Sequence, residues 1–282
     1  MSRSRAETPR LAAVLGWPVA HSLSPLIHMT WAAREGANAR YDRIAVEPSD
    51  EAFQAAIARL RAEGYRGANV TIPHKERALR YADRASAAAE EIGAANMLTF
   101  GEDGVTAANS DAAALRAIIL DLDPLPRSAL VLGAGGAARG ALWALKSASV
   151  AQIALTNRTK ARAEAIAAIA DARVIDWRDR NDALATSEFV INATSLGMTG
   201  EPALGLDLAR LPKTAAVFDA VYAPLETALL RAAAANGLKA IDGLEMLMRQ
   251  AVPGYLAWLG SRAEIDADLR ARLETALAAR RE

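Results

Sequence analysis

Short apolar runs alternate along the chain with longer stretches in which apolar side chains recur about every three or four positions. The short runs are typical of buried strands, and the longer stretches are typical of helices with one apolar face. The predicted strands span 11–15, 41–46, 68–72, 129–132, 151–156, 173–175, 188–192 and 215–219. The predicted helices span 24–34, 50–62, 111–120, 136–147, 159–170, 225–235, 243–259 and 263–280, with another starting near 74. This alternation predicts an α/β protein built on parallel sheets.

Turn-forming residues indicate where some of these elements begin and end. Ser24-Pro25 predicts a helix start, with the serine as N-cap and the proline at the first helical position. Asp103-Gly104 stands between two further apolar segments, 96–100 and 105–108. Because Asp-Gly favours a tight two-residue turn, these segments are predicted to form a hairpin.

A proline-containing segment over 121–126 predicts a linker between two domains. The strands and helices that follow it predict a doubly wound, Rossmann-type domain. The last helices lie beyond that unit and are expected to fold back on the first domain. The predicted division is therefore a first domain of 1–112 with 243–282, and a nucleotide-binding domain of 113–242.

Composition narrows the class of protein. The 282 residues carry zero formal net charge and include no cysteine. Nucleic acid and anionic membranes are therefore not expected partners, and disulfides and thiolate sites are excluded. Arg3 and Arg5 precede the apolar run 11–15, but Gly16 and Pro18 interrupt it, so neither a signal peptide nor a membrane span is expected. A cytoplasmic location is the expectation.

The segment after the predicted strand 129–132 is rich in glycine and resembles a dinucleotide-binding turn. Its residues are Gly133, Ala134, Gly135, Gly136 and Ala137. The first glycine would make the tight turn, and the second would let backbone N–H groups approach a pyrophosphate. Glycine is common in tight turns of every kind, so this pattern needs support from a second motif.

A basic cluster after the next strand supplies that support. It consists of Asn157, Arg158, Thr159, Lys160 and Arg162. The acidic residue that would hold a free ribose 2′-hydroxyl is missing there. Guanidinium groups suit a phosphate dianion, so the cluster predicts NADP(H) rather than NAD(H) as the cofactor.

Two motifs in the first half predict a site for a small anion. Ser22 and Ser24 follow a strand at a helix start, where free N–H groups and hydroxyls favour a carboxylate. Thr71 and Lys75 stand at the end of a strand and the start of the next helix. A lysine there opposes the helix dipole, which indicates a functional reason for it. Helix capping by Ser24 and a solvated Lys75 are the alternatives.

Other polar residues are less informative. Asn96 and Asp111 lie in loop segments, and each alone would be interpreted as a turn or cap residue. His21, His28 and His74 lack the spacing of metal ligands, so no metal site is expected. His74 is expected to be structural.

Five motifs in this sequence together resemble the shikimate dehydrogenase family. They lie at 16–25, 69–75, 192–198, 219–224 and 243–250, in the order found in that family. The resemblance implies a substrate domain completed by the C-terminal helices and a Rossmann-type NADP domain. It also implies reversible hydride transfer between NADPH and the ring ketone of 3-dehydroshikimate, which gives shikimate.

The resemblance implies a role for each matching residue. Ser22 and Ser24 would bind the substrate carboxylate. The residues implied around the ring hydroxyls are Thr71, Asn96, Asp111, Tyr222 and Gln250. Lys75 would lie at the reacting oxygen with Asp111 beside it, and these two are the expected catalytic residues. Residues 133–137 would bind the pyrophosphate, 157–162 the adenosine phosphate, and Ala220 with Gly243 would lie beside the nicotinamide.

Four positions depart from the family pattern, namely Met29, Met97, Ser110 and Ala112. If the backbone after Asp111 required a positive φ, Ala112 would be strained by about 1–2 kcal/mol. Two alternatives stay open: a quinate/shikimate dehydrogenase, and a non-catalytic NADP-binding homologue. A small-molecule substrate is the expected partner, and a homodimer is left open.

Overall fold

The computed structural model describes residues 8–279, so Arg3, Arg5 and Arg280 lie outside the described part of the chain. The chain divides into two compact units. The first runs to Ser110 and takes up Gln250–Leu273, and the second comprises Asp111–Arg249 and the chain from Glu274. The sequence predicts a substrate domain (1–112 with 243–282) and a nucleotide-binding domain (113–242). The functions of the two units stay predictions.

The first unit contains a mixed six-stranded sheet. Its strands are β1 (Arg10–Gly16), β2 (Ala39–Ala45), β3 (Tyr65–Val70), β4 (Arg84–Ala85), β5 (Met97–Gly101) and β6 (Gly104–Ala108). They lie in the order β2-β1-β3-β5-β6-β4. The pairs β1–β2, β1–β3 and β4–β6 are parallel, whereas β3–β5 and β5–β6 are antiparallel. The predicted hairpin is confirmed, but its two-residue turn is Glu102-Asp103 rather than Asp103-Gly104, because Gly104 is the first residue of β6 and pairs with Gly101.

Four helices connect these strands: α1 (Ser24–Glu35), α2 (Asp50–Ala62), α3 (Lys75–Arg80) and α4 (Ala87–Ile92). The helix predicted at 50–62 is confirmed with the same bounds. Its N-cap is Ser49, whose Oγ accepts a hydrogen bond from the Ala52 N–H (3.1 Å). Asp50 and Glu51 in the first turn, with Arg59 and Arg61 in the last, complement the helix dipole.

The second unit contains a six-stranded parallel sheet. Its strands are β7 (Ser128–Leu132), β8 (Gln152–Thr156), β9 (Arg173–Val174), β10 (Phe189–Asn192), β11 (Ala216–Asp219) and β12 (Lys239–Ile241). They lie in the order β12-β11-β10-β7-β8-β9, and every adjacent pair is parallel. Counted from β7 as the first strand, this is the Rossmann order 3-2-1-4-5-6. The predicted α/β class with a doubly wound nucleotide-type sheet is confirmed.

The remaining helices are α5 (Ser110–Leu120), α6 (Gly136–Ser147), α7 (Lys160–Ala167), α8 (Ala228–Ala235), α9 (Gly243–Trp258) and α10 (Ala267–Ala278). Three of them are shorter than predicted by at least three residues. The helix predicted at 159–170 ends at Ala167, that at 225–235 begins at Ala228, and that at 263–280 begins at Ala267. Residues 168–170, 225–227 and 263–266 therefore lie outside these helices.

Alternate side chains of β7 enter two different apolar clusters. Ala129 and Val131 pack in one cluster with Leu142 of α6, whereas Leu130 packs in the other with Leu229 of α8. Side chains alternate between the faces of a strand, so both faces of this strand are covered by apolar side chains. That double coverage is what a parallel sheet requires, and it explains why the strand sequence is continuously apolar.

A glycine in β3 controls packing in the first unit. A Cβ at Gly67 would lie 2.1 Å from Trp258 Nε1 and 2.4 Å from the Leu98 carbonyl oxygen. We expect Gly67→Ala to lower the free energy of unfolding by about 1–3 kcal/mol, because the buried indole must move. Urea denaturation measures this loss. The matched control is Gly101→Ala, whose Cβ would make one ordinary contact at 3.7 Å, and an equal loss in both variants would contradict the packing argument.

Candidate active site

The glycine-rich turn follows the strand at which the order of the second sheet reverses. β7 pairs with β8 on one side and with β10 on the other. Ligands of open α/β sheets bind beside the carboxyl ends of the strands at such a position. Gly133 has a φ of 116°, and a Cβ there would lie 2.7 Å from the Ala193 carbonyl oxygen. Both the conformation and the space therefore require glycine.

The residues after Gly133 open helix α6. Gly135 is its N-cap and has no side chain to bond the first N–H groups, and a Cβ there would meet nothing within 4 Å. The first N–H groups of a helix have no partner within it, and they lie at the positive end of its dipole. This backbone is suited to a phosphate group that approaches closely.

The predicted basic cluster follows β8 at the same edge of the sheet. Asn157 is half-buried, and its Nδ2 donates to the Thr159 carbonyl oxygen (2.9 Å). Lys160 is exposed and forms an ion pair with Glu164 (3.7 Å). Arg158 and Arg162 are exposed, and neither forms an ion pair within residues 8–279. Within the described residues, the two guanidinium groups are therefore the cations of this cluster that no carboxylate pairs with.

The two positions predicted beside the nicotinamide lie against each other. A Cβ at Gly243 would lie 2.5 Å from the Ala220 carbonyl oxygen, so glycine allows the start of α9 to approach the end of β11. Asp242 holds this start in place, because its Oδ1 accepts hydrogen bonds from the N–H groups of Leu244 (3.0 Å) and Glu245 (3.1 Å). Tyr222 lies half-buried in the loop after β11.

The serine pair in the first unit differs from its prediction in one respect. Ser24 is not the N-cap of α1: it is the first helical residue, and the cap is Leu23, which makes no side-chain cap bond. Ser22 Oγ instead accepts a hydrogen bond from the Ser24 N–H (3.3 Å). Arg43 donates from Nε and Nη2 to the Ser22 carbonyl oxygen (3.0 and 2.9 Å), which fixes the turn from outside the helix. Ser24 itself is buried.

Thr71 and Lys75 lie at the carboxyl end of β3, as predicted. The strand itself ends at Val70 rather than 72, and the Thr71 N–H still donates to the Leu15 carbonyl oxygen (2.8 Å). Lys75 is the half-buried first residue of α3. Its neighbour His74 is fully buried and bonds the Val46 carbonyl oxygen through Nε2 (2.8 Å). The prediction that His74 is structural agrees with these contacts.

Gly16 sets the position of the Thr71 side chain. A Cβ at Gly16 would lie 2.3 Å from Thr71 Cγ2. We expect Gly16→Ala to raise the KM for the substrate about tenfold, because the displaced threonine would misplace its hydroxyl. Steady-state kinetics measures this, with Gly101→Ala as the control. An unchanged KM in a folded Gly16→Ala variant would show that Thr71 does not contact the substrate.

Asn96, Ser110 and Gln250 form a buried polar network in the first unit. Asn96 Nδ2 donates to Ser110 Oγ (3.0 Å), and Asn96 Oδ1 accepts from the Ser110 N–H (2.7 Å). Ser110 Oγ also lies 3.5 Å from Gln250 Oε1. The structure therefore brings together two of the predicted ring-binding residues, with Ser110 as the link. The same contacts hold the segment that leads into Asp111.

His28 is enclosed by aromatic rings. It stacks on Tyr41 (ring centroids 4.2 Å apart) and meets Trp31 edge-on (6.0 Å). Complete burial lowers the pKa of His28 to about 3. Its ring is therefore neutral near pH 7. Because the unfolded chain binds a proton at the ordinary pKa of 6.5, the free energy of unfolding falls as the pH drops from there toward 3. Within residues 8–279, no group of three His, Cys, Asp or Glu side chains is placed to hold a metal ion.

Comparison with protein families decides the classification. Residues 14–98 match the shikimate dehydrogenase substrate binding domain, and residues 120–199 match the shikimate / quinate 5-dehydrogenase model. A shikimate dehydrogenase (NADP(+)) of Methylobacterium radiotolerans is 46% identical over 280 residues, covering 96% of this chain and 98% of its own. The chain belongs to the shikimate dehydrogenase family. The resemblance predicted from the five motifs is confirmed.

Other members of the family are similar along the whole chain. A shikimate dehydrogenase (NADP(+)) of Acidiphilium cryptum is 48% identical and covers 91% of this chain and 93% of its own. The structure of shikimate 5-dehydrogenase from Thermus thermophilus in complex with NADP(H) and shikimate has a TM-score of 0.82 and 33% identity, covering 96% and 99% of the two chains. Quinate dehydrogenase from Corynebacterium glutamicum in complex with NAD has a TM-score of 0.86 and 27% identity, covering 95% and 99%.

The departures from the family pattern cause no backbone strain. Ala112 lies inside helix α5, so the positive φ considered above does not arise there. Ala112 is also the nearest neighbour of Gly140 in α6: a Cβ on that glycine would lie 3.6 Å from the Ala112 Cβ. Met97 is buried at the start of β5, and Met29 is half-buried in α1. The substitutions are accommodated within regular elements.

Sequence reasoning missed one polar group of the second unit. Asp219 and Asn192 are fully buried and bonded to each other, Asn192 Nδ2 to Asp219 Oδ1 (2.8 Å). Both stand in family motifs, at the last residue of a strand, and no function is assigned to either there. The signal that could have indicated them is a polar residue at the end of each of two neighbouring apolar strands. The carboxyl ends of parallel strands share one edge of the sheet, so such residues lie close together.

Proposed function

We propose that this chain catalyses the reversible reduction of 3-dehydroshikimate to shikimate with NADPH, in the biosynthesis of aromatic amino acids. The observation that carries the proposal is the match with curated shikimate dehydrogenases (NADP(+)) at 46% and 48% identity over nearly the whole chain. Arg158 and Arg162 after β8 are exposed and have no acidic partner among residues 8–279, which supports the choice of NADP. That choice agrees with the names of these relatives.

The proposed cofactor residues lie on the second unit. The pyrophosphate would bind at residues 133–137. The turn can form there because Gly133 has no Cβ, which would lie 2.7 Å from the Ala193 carbonyl oxygen. The 2′-phosphate would bind at the segment 157–162, chiefly through Arg158, and Ala220 with Gly243 would lie beside the nicotinamide. When bound, NADPH supplies the hydride.

The proposed substrate residues are donors and acceptors suited to a polyhydroxylated carboxylic acid. Ser22 and Ser24 would hold the carboxylate through hydroxyl and N–H donors. The ring hydroxyls would meet Thr71, Asn96, Asp111, Tyr222 and Gln250. The bonds of Asn96 and Gln250 to Ser110 support their part, because they fix the orientation of both amides before substrate arrives.

Lys75 and Asp111 are the proposed catalytic residues. Reduction of a carbonyl builds negative charge on its oxygen, and a positive group that donates a proton there stabilises that charge. Lys75 would donate this proton from Nζ during reduction and accept it during oxidation. Asp111 would form a hydrogen bond with Lys75 or with the same substrate hydroxyl.

Quinate/shikimate dehydrogenase is the second candidate, because the quinate dehydrogenase of Corynebacterium glutamicum has a TM-score of 0.86 to this chain. Quinate has a saturated ring with one more hydroxyl. That relative is in complex with NAD, whereas the exposed Arg158 and Arg162 of this chain favour a phosphorylated ribose. The first candidate is therefore preferred.

One set of rates tests both candidates. Initial rates are measured with shikimate and with quinate, each with NADP⁺ and with NAD⁺. We expect kcat/KM for shikimate with NADP⁺ to exceed each other combination by at least about tenfold. A higher value for quinate with NAD⁺ would favour the second candidate. Cofactor binding without turnover of either acid would show a non-catalytic homologue.

The proposed partners are small molecules. Of the described residues, none forms a helix that is long and apolar enough to cross a membrane. A homodimer and a cytoplasmic location stay predictions, and sedimentation of the purified chain measures the first.

A further inference from the structure

A buried carboxylate stands between the loops that follow β10 and β11. Asp219 has no exposed surface and accepts three hydrogen bonds. Its Oδ1 accepts from Asn192 Nδ2 (2.8 Å) and from the Val221 N–H (3.0 Å), and its Oδ2 accepts from Thr227 Oγ1 (2.7 Å). Each donor belongs to a different piece of chain, so one side chain joins three segments.

The first of these segments is the turn after β10. Asn192 Oδ1 accepts from the N–H (3.1 Å) and the Oγ1 (2.7 Å) of Thr194, and its Nδ2 also donates to the Leu196 carbonyl oxygen (3.0 Å). This turn contains Ala193, whose carbonyl oxygen faces Gly133. Through Asn192, Asp219 therefore fixes the turn whose Ala193 carbonyl oxygen lies against Gly133.

The second and third segments belong to the loop after β11. The bonded N–H of Val221 directly precedes Tyr222, and Thr227 ends the loop as the N-cap of α8, where its Oγ1 accepts from the Leu230 N–H (3.2 Å). Further out, the Thr199 N–H donates to the Ala223 carbonyl oxygen (2.9 Å) and joins the two loops. The loop that carries Tyr222 is thus fixed on both sides of that residue.

Burial without a cation explains why these bonds matter. Within residues 8–279, no lysine or arginine forms an ion pair with Asp219. Loss of contact with water raises the pKa of this carboxyl group, and its three donors act in the opposite direction. An ionised group in such a place is stable only while its hydrogen bonds are made, so removing one donor is costly.

We propose that Asp219 is a positioning residue, which fixes the 192–199 and 219–227 loops so that Tyr222 is held in place for the substrate. This inference rests on the proposed function for the role of Tyr222. The arrangement of the loops around Asp219 does not depend on it, and each part therefore has its own measurement.

The test removes the donor to Asp219 Oδ2 with Thr227→Val, which has nearly the same shape. Thr227→Ser keeps the hydroxyl and serves as the conservative variant. Thr227 is also the N-cap of α8, so the variant loses a helix cap as well. Ser49→Ala is the control for the loss of a cap, because Ser49 Oγ caps the start of α2 in the same way. Ser49 has no part in the proposed machinery.

The first measurement is amide hydrogen exchange of the full-length protein. We expect Thr227→Val to speed exchange at 192–199 and 219–227 by about tenfold or more, and Thr227→Ser and Ser49→Ala to leave both loops unchanged. Unchanged exchange in Thr227→Val, or faster exchange confined to α8, would overturn the fixing of the loops by Asp219. This result is independent of any activity.

The second measurement is a double-mutant cycle with Tyr222→Phe. Thr227→Val is expected to raise the KM for shikimate by about 3–30-fold. In the Tyr222→Phe background its effect on KM should shrink to about twofold or less, because the two residues act together. Additive effects on KM would show that Asp219 does not act through Tyr222. Absence of shikimate turnover in the wild type would overturn the proposed function and this positioning role, while the exchange result still decides the arrangement of the loops.

Discussion

Replacement of Lys75 by alanine is expected to lower kcat for shikimate oxidation by about 10²–10⁴-fold, the usual contribution of a positioned acid–base group. Lys75 is the half-buried first residue of α3, five residues after β3 ends at Val70. Its loss would leave the developing negative charge on the substrate oxygen without a cation or a proton donor. The measurement is steady-state kinetics in both directions.

The matched control for this variant lies on the same helix. Arg80 is exposed and pairs with Asp50 (3.3 Å), so Arg80→Ala removes one cation from α3 and an ion pair of little energetic value. Its kcat should stay within about twofold of the wild type. If Lys75→Ala instead raised KM and kept kcat, Lys75 would be a binding residue and the proposed proton transfer would be wrong.

Replacement of Arg158 by alanine is expected to weaken NADP⁺ binding by about 10–100-fold, and to change NAD⁺ binding by less than about twofold. Hydrogen bonds between charged groups contribute about 1.5–3 kcal/mol, and only NADP⁺ has the 2′-phosphate that would receive them. Arg158 is exposed and has no acidic partner in the described part of the chain, so its removal leaves no charge unpaired. Isothermal titration calorimetry with each cofactor measures the two affinities.

Arg178 supplies the control for that experiment. It is also exposed and lies beyond β9, the neighbour of β8, but it pairs with Asp176 (3.0 Å). Arg178→Ala should leave the preference for NADP⁺ unchanged. Equal weakening of both cofactors in Arg158→Ala would remove the argument for phosphate recognition at this residue.

Long helices and strands were predictable from the sequence because their buried side chains recur with the period of the helix or strand. The helix at 50–62 and the apolar strand β7 are examples, since each buries a regular pattern of side chains. The elements β4, α4 and β12 were missed. With two, six and three residues, they are too short for a period to be visible, and they form because neighbouring elements pair or pack with them.

The capping of α1 shows another limit of sequence reasoning. Ser24-Pro25 has the residue types of an N-cap and a first helical position, yet the helix begins one residue earlier than that pattern predicts. A residue distant in the sequence contacts this turn: Arg43 of β2 donates two hydrogen bonds to the carbonyl oxygen of Ser22. Local composition does not contain this contact.

Some residues of the candidate site were likewise predictable from the sequence, and others were not. The glycine-rich turn was predictable because its glycines are visible in the sequence, and the φ of 116° at Gly133 favours glycine. Asp219 was not, because its partners Asn192 and Thr227 stand 27 and 8 residues away. The roles of Lys75 and Asp111 come from family resemblance and stay predictions.

The antiparallel β5–β6 hairpin has a consequence for how the first unit can vary. Asn96 directly precedes the hairpin and Ser110 follows it closely, and the two bond each other where Met97 pairs with Ala108. The tip of the hairpin, at Glu102 and Asp103, lies at the far end of both strands. Extra residues inserted at that tip would project away from the Asn96–Ser110 pair and would not alter its register. The hairpin can therefore gain length, or carry a fused peptide, without disturbing this part of the candidate site.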